Sequence, residues 1–168
     1  ECLAVVDLLR RSGVETVLVS VEEDCEIISS HKVRITADAV LADTDLSDGD
    51  VIFLPGGMPG AERLSACGPL LEALEQADRE GRRIAAICAA PGVVLGRHGL
   101  LKGRTATCFP GFEKEFGDGR YTHQGVVTDG NLTTARGLGF AVDLGLELVE
   151  LLLGSEAAEE TRRRIQYR

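Results

Sequence analysis

The sequence predicts an α/β protein of the doubly wound type, and three observations carry that expectation. Two short apolar runs, Asp50–Leu54 and Arg83–Ile87, lack polar alternation and read as parallel strands covered on both faces. Segments with apolar residues at helical spacing alternate with such strands. Both runs end abruptly in small residues and proline, Pro55-Gly56-Gly57 and Ala89-Ala90-Pro91, at the carboxyl ends where open sheets bind ligands.

The elements follow in order. Leu3–Arg11 has Leu3, Val6 and Leu9 on one side with Val5 and Leu8 beside them, and Gly13 stops it as a C-terminal cap. Val14–Val21 is rich in β-formers. Glu26–Ile35 places two apolar patches around Ser29-Ser30-His31-Lys32, a hairpin pattern. Asp50–Leu54 runs into Pro55–Gly60, a loop whose glycines permit close backbone approach. Pro69–Gly81 is amphipathic, with Leu70, Leu71, Leu74 and Ala77 inward and Glu72, Glu75, Asp78 and Arg79 outward. After the strand into Cys88, a helix is expected over about Pro91–Arg97. Arg104–Cys108 reads as a strand and Pro110–Phe116 as a short helix. Val126–Thr134 is a hairpin with Asp129-Gly130 at its turn. Phe140–Leu153 is a strongly apolar helix. Beyond Gly154-Ser155 a last helix carries Glu156, Glu159 and Glu160 first and Arg162–Arg164 last, matching the helix dipole. With no repeat, linker or low-complexity tract, residues 1–168 are expected to form one domain.

Composition narrows the function classes. Of 168 residues, 44% are hydrophobic and 27% charged, so a full-sized core is affordable. Aromatics are only 4% and Trp is absent, which leaves Leu, Val, Ile and Ala to build that core. A net charge of −9 argues against nucleic acid and anionic membranes as partners. No apolar run approaches the roughly 18 residues of a membrane span, and a cytoplasmic location is the expectation. The five cysteines (Cys2, Cys25, Cys67, Cys88, Cys108) are odd in number and form no C-x-x-C pair, which argues against a disulfide framework or a structural zinc site. No cofactor or metal is expected: Gly56–Gly60 is not a phosphate-binding fingerprint, and Gly137-Leu138-Gly139 alone is a weak signal.

The stretch Ile84–Gly92 points to chemistry. A strand that ends at one cysteine and turns sharply into a helix lifts that side chain out of the sheet, as a nucleophile elbow does. The N–H groups of the following helix favour a thiolate there. Cys88 is therefore the candidate nucleophile, and the other four cysteines read as small buried hydrophobes. The loop after Leu54 is expected beside it, so that Gly56, Gly57 and Ala89 offer N–H groups to an oxyanion. Among the histidines, His31 and His98 read as surface residues. His123 is the one placed as a candidate near Cys88.

DVIFLPGG (Asp50–Gly57), IAAICAAP (Ile84–Pro91) and TARGLG (Thr134–Gly139) ahead of an apolar helix together resemble the ThiJ/PfpI superfamily, in particular its branch with the parkinsonism-associated deglycase and YajL. The likeness spans nearly the whole chain. It implies a flavodoxin-like three-layer sandwich with a mainly parallel central sheet and a nucleophile elbow, assembled as a homodimer. It implies that Cys88 is the reactive cysteine, that Gly57 and Ala89 line the pocket, and that Glu1 is a protonated glutamate hydrogen-bonded to the sulfur. A carboxylic acid beside a thiolate keeps its proton because adjacent anions repel, and donating a hydrogen bond then favours the thiolate. The resemblance also implies a strand ahead of Glu1, outside this numbering. Its histidine near the cysteine falls on Arg120, three residues before His123, and Ala89 stands where peptidase-like members carry histidine, which disfavours proteolysis.

Three functional expectations follow. One is a glutathione-independent glyoxalase or deglycase acting on small aldehydes or glycated substrates. A second is a redox-sensing or chaperone-like stress protein that responds through oxidation of Cys88. The third is a non-catalytic member acting through its dimer surface.

Overall fold

The computed structural model describes residues 1–168. At its centre lies a four-stranded sheet in the order β5–β6–β10–β9, formed by β5 (Val51–Leu54), β6 (Arg83–Ile87), β10 (Leu132–Ala135) and β9 (Val126–Asp129). β5, β6 and β10 run parallel, and β9 returns antiparallel to β10. The register aligns Leu54 with Ala86 and Ala135 with Ile87, so Pro55, Cys88 and Arg136 leave the sheet at one edge.

Alternation along β6 sends its side chains into two separate cores, which makes the three layers. Ile84 and Ala86 join Leu70, Leu74, Ala77, Val94 and Leu95 on one face. Ala85 and Ile87 join Val5, Leu9, Leu144, Leu148, Val149 and Ala158 on the other. The first face is covered by α3 (Gly68–Glu80) and the helix after the elbow, the second by α1 (Cys2–Arg11), α4 (Ala141–Leu153) and α5 (Ser155–Arg164). Each fully buried Leu contributes roughly 1.5–3 kcal/mol, so aliphatic side chains suffice without tryptophan. No helix is long and apolar enough to cross a membrane.

Several expected elements are shorter than their sequence patterns. Within Val14–Val21 only β1 (Val19–Ser20) is paired, parallel to β4 (Ala39–Val40), in a ladder separate from the central sheet. Arg104–Cys108 contracts to β7 (Thr105–Ala106), paired with β8 (Arg120–Tyr121), and Pro110–Phe116 to a single 3-10 turn, Glu113–Glu115. The physical reason is local: ladder partners are available over only two residues. The Glu26–Ile35 hairpin forms as β2 (Glu26–Ile28) and β3 (Arg34–Thr36). A short helix, α2 (Gly60–Ser65), follows the glycine loop, which the sequence pattern alone does not mark.

The helix after Cys88 is wound as a π-helix over Pro91–Gly96, with Arg97 N–H donating to Gly92 carbonyl at 3.1 Å and Leu100 N–H to Leu95 carbonyl at 2.9 Å. All six of its residues are buried. Any side chain on Gly92 or Gly96 would collide with the backbone carbonyls of Phe112 or Glu115, so these glycines let the 112–116 segment lie directly on the helix. Such π-turns recur at functional sites.

Candidate active site

The site is built where β5, β6 and β10 end together. Cys88 has φ 64, in the left-handed region that side chains avoid at a cost of about 1–2 kcal/mol. Its backbone is held in place on both sides. Its N–H donates to Ala135 carbonyl at 2.9 Å, and its carbonyl accepts the N–H of Phe109 at 2.8 Å. This is the strained elbow expected from the strand-to-helix turn, and it leaves the thiol half-buried at the sheet edge.

Glu1, just ahead of α1, reaches the same point. Its Oε2 accepts the N–H of Gly56 at 3.1 Å, and its carboxylate lies beside Cys88. Gly56 has no room for a side chain: a Cβ there would sit 2.5 Å from Cys88 Cβ, 2.7 Å from Ile87 carbonyl oxygen and 2.8 Å from Glu1 Oε2. The N–H groups of Gly57 and Ala89 point at the sulfur. Of the three expected oxyanion donors, Gly57 and Ala89 therefore face Cys88, whereas Gly56 is committed to Glu1.

Opposing influences act on the Cys88 thiol. Burial, then the negative charge of Glu1 and its hydrogen bond, push the Cys88 thiol from 9.0 up to about 11, against the opposing pull of the Gly57 and Ala89 N–H groups. The physical reason is that two adjacent anions in a half-buried site are costly and no cation offsets them.

The expected histidine is not at the sulfur. His123 is exposed, with Nδ1 3.3 Å from Tyr121 Oη and its ring edge-on to Tyr121 at 4.9 Å. Arg120 is exposed on β8, its Nε donating to Thr105 Oγ1 at 3.3 Å. The reason is the short β7–β8 ladder, which carries this segment along the flank of the sheet. Cys108 stands beside Cys88 instead, fully buried, with its neighbour Phe109 bonded to the Cys88 carbonyl. Burial pushes its thiol up to about 12, reinforced by Glu113 and Cys88 and opposed by Arg136. Cys108 is the buried hydrophobe that the sequence implied, whereas Cys2, Cys25 and Cys67 are only partly buried because they lie near the ends of surface elements. The hairpin tip also approaches the loop: Ser30 Oγ lies 3.3 Å from where a Cβ of Gly57 would be and 3.2 Å from His31 Nδ1. His31 thus approaches the glycine loop through Ser30.

Residues 1–151 match the family model described as the DJ-1/PfpI family. Protein DJ-1 homolog B of Arabidopsis thaliana is 40% identical over 161 residues, covering 95% of this chain and 37% of that protein, so the chain spans less than half of that relative. The glutathione-independent glyoxalase DJR-1.2 of Caenorhabditis elegans is 32% identical over 158 residues, covering 93% of this chain and 83% of the relative. Oxidized Toxoplasma gondii DJ-1 superimposes with a TM-score of 0.95 at 36% identity, over 99% of this chain and 91% of that one. The flavodoxin-like layers, the strained cysteine and its acid partner thus occur in a chain that belongs to the DJ-1/PfpI family.

Proposed function

We propose that this chain is a cysteine-dependent stress-protection protein that acts on small 2-oxoaldehydes without glutathione. The observation that carries the reading is the constellation at the elbow: Cys88 at φ 64, the Glu1 carboxylate on its thiol, and two N–H groups aimed at the sulfur. A glutathione-independent glyoxalase among the relatives supports it.

The chemistry follows from the carboxyl group beside the thiol. Glu1 takes the thiol proton as Cys88 Sγ adds to the aldehyde carbon of methylglyoxal, giving a thiohemiacetal. The Gly57 and Ala89 N–H groups stabilise the oxygen as it gains charge. Glu1 then carries a proton from the former aldehyde carbon to the adjacent carbon, leaving a lactyl thioester on Cys88. Water hydrolyses that thioester, releasing lactate and restoring the thiol. Residues 1–168 act as one domain in this proposal, and the homodimer and cytoplasmic setting implied by the family resemblance belong to it.

The experiment is to incubate the protein with methylglyoxal, omit glutathione, and assay lactate. Lactate from the wild type and only buffer background from Cys88→Ala is the expected result. Equal rates from the two would remove the mechanism.

A second reading has its own observation. Cys108 adjoining Cys88 favours a redox response at the same sulfur. Mild peroxide should then modify Cys88 ahead of Cys2, Cys25 and Cys67, and uniform oxidation of all of them would count against it.

A further inference from the structure

We propose that Cys108 is the resolving thiol for Cys88: a peroxide oxidises Cys88 to the sulfenic acid, and Cys108 condenses with it to close an intrachain disulfide that switches the site off. The inference rests on Cys88 being the reactive sulfur, as proposed above.

The backbone brings the two residues together. Only one carbonyl group, one 2.8 Å hydrogen bond (Phe109 N–H to Cys88 carbonyl) and one peptide link separate the two Cα atoms. Such a path holds the Cα atoms close to the roughly 4.4–6.8 Å window in which a disulfide closes. The thiols also interact electrostatically, Cys88 contributing to the upward push on Cys108. Both residues sit on well-anchored backbone, Cys88 through Ala135 and Phe109 and the Cys108 segment through the Thr107 N–H bond to Thr134 Oγ1 at 2.9 Å. Cys108 packs in the first core and Cys88 borders the second, so closing the disulfide requires the two side chains to turn toward each other.

Burial divides the labour between the two sulfurs. Cys88 is half-buried and meets a peroxide in solution, whereas Cys108 is fully buried and meets only what Cys88 has become. In the first step the Cys88 sulfur attacks one peroxide oxygen, the O–O bond breaks, and water leaves with the thiol proton. In the second, the Cys108 sulfur attacks the Cys88 sulfur, the S–O bond breaks, and the hydroxyl departs with the Cys108 proton as a second water. The two cysteines together lose two electrons and the peroxide gains them. Without Cys108 the sulfenic acid persists and a second peroxide carries it to the sulfinic acid, which thiol reductants do not reverse. Cys108 thus makes inactivation of the elbow reversible.

Trypsin separates the two residues cleanly, since Ile84–Arg97 contains only Cys88 and Thr105–Lys114 only Cys108. The test treats the full chain with hydrogen peroxide, blocks free thiols by alkylation, and maps peptides without reductant. The expected product in the wild type is these two peptides joined with loss of two hydrogens, and dithiothreitol restores lactate formation. In Cys108→Ala, and in Cys108→Ser as a second variant should one fold poorly, the Cys88 peptide should gain two oxygens and dithiothreitol should restore nothing. Cys88 sulfinate without a crosslink in the wild type, or a crosslink to Cys2 instead, overturns the assignment of Cys108 while leaving Cys88 as the reactive sulfur. An unmodified Cys88 among oxidised cysteines overturns the reading of Cys88 itself, and this proposal with it.

Discussion

The two ends of strands β6 and β10 handle charge in opposite ways. At the amino end, Arg104 donates to Asp78 Oδ1 at 2.6 Å and to Asn131 Oδ1 at 2.9 Å, and Asn131 Nδ2 donates to Asp78 at 3.1 Å and to Arg82 carbonyl at 2.8 Å. The Arg104 and Asp78 charges there offset each other. At the carboxyl end, the carboxylate of Glu1 lies on a thiol, and no cation is among the groups that shift Cys88. A neutralised cluster stabilises the fold, whereas an acid–thiol pair without a cation is a candidate site for chemistry.

The largest effect expected from disturbing this contrast is that of Glu1→Gln. Removing the charge releases the Cys88 thiol back toward 9.0, so alkylation by iodoacetamide at pH 8 accelerates, about tenfold for each pH unit of the fall. Lactate formation should drop roughly 100-fold or more, because the proton carrier is gone. The two readouts move in opposite directions; slower alkylation in the variant would show that Glu1 favours the thiolate instead of raising the thiol.

Next comes Gly56→Ala. Its new methyl would need space already filled by Cys88 Cβ and the Ile87 carbonyl, at 2.5 and 2.7 Å. Overpacking of this kind costs about 1–3 kcal/mol, and displacement of the elbow should lower lactate formation as well. Thermal melting and the lactate assay read both losses. Unchanged activity would mean that the elbow tolerates movement.

Arg104→Ala acts on the opposite end. It leaves Asp78 without its cation and should cost about 1–3 kcal/mol in denaturant unfolding, while lactate formed per folded molecule stays at the wild-type level. An activity loss as large as that of Glu1→Gln would show that the two ends are coupled.

The smallest effect is in alkali. Both thiols are raised in the folded protein, Cys88 from 9.0 to about 11 and Cys108 from 9.0 to about 12. Their contribution to stability is complete below the unfolded value and is lost as pH rises through the folded ones. Unfolding free energy should therefore decline between pH 9 and 12, less steeply in Cys108→Ala. A decline of equal slope in that variant would show that Cys108 does not contribute.

Much of this was legible from residue order. The uninterrupted apolar runs Val51–Leu54 and Ile84–Ile87 mark strands buried on both faces, because only covered strands can do without polar alternation. Helix ends at Gly13 (φ 85) and Gly81 (φ 72) were readable because a left-handed cap selects glycine locally. The break from strand into Ala89-Ala90-Pro91 singled out Cys88 for the same reason: a sharp turn is a local event. Other features depend on partners distant in sequence. The length of β7, the partner of Gly56, the flank position of His123 and Arg120, and the approach of Cys108 to Cys88 are settled by which segments pack side by side. The rise of the Cys88 thiol follows the same logic: it is set by burial and by a carboxylate 87 positions away, since desolvation and Coulomb forces act through space and leave no periodicity in the chain.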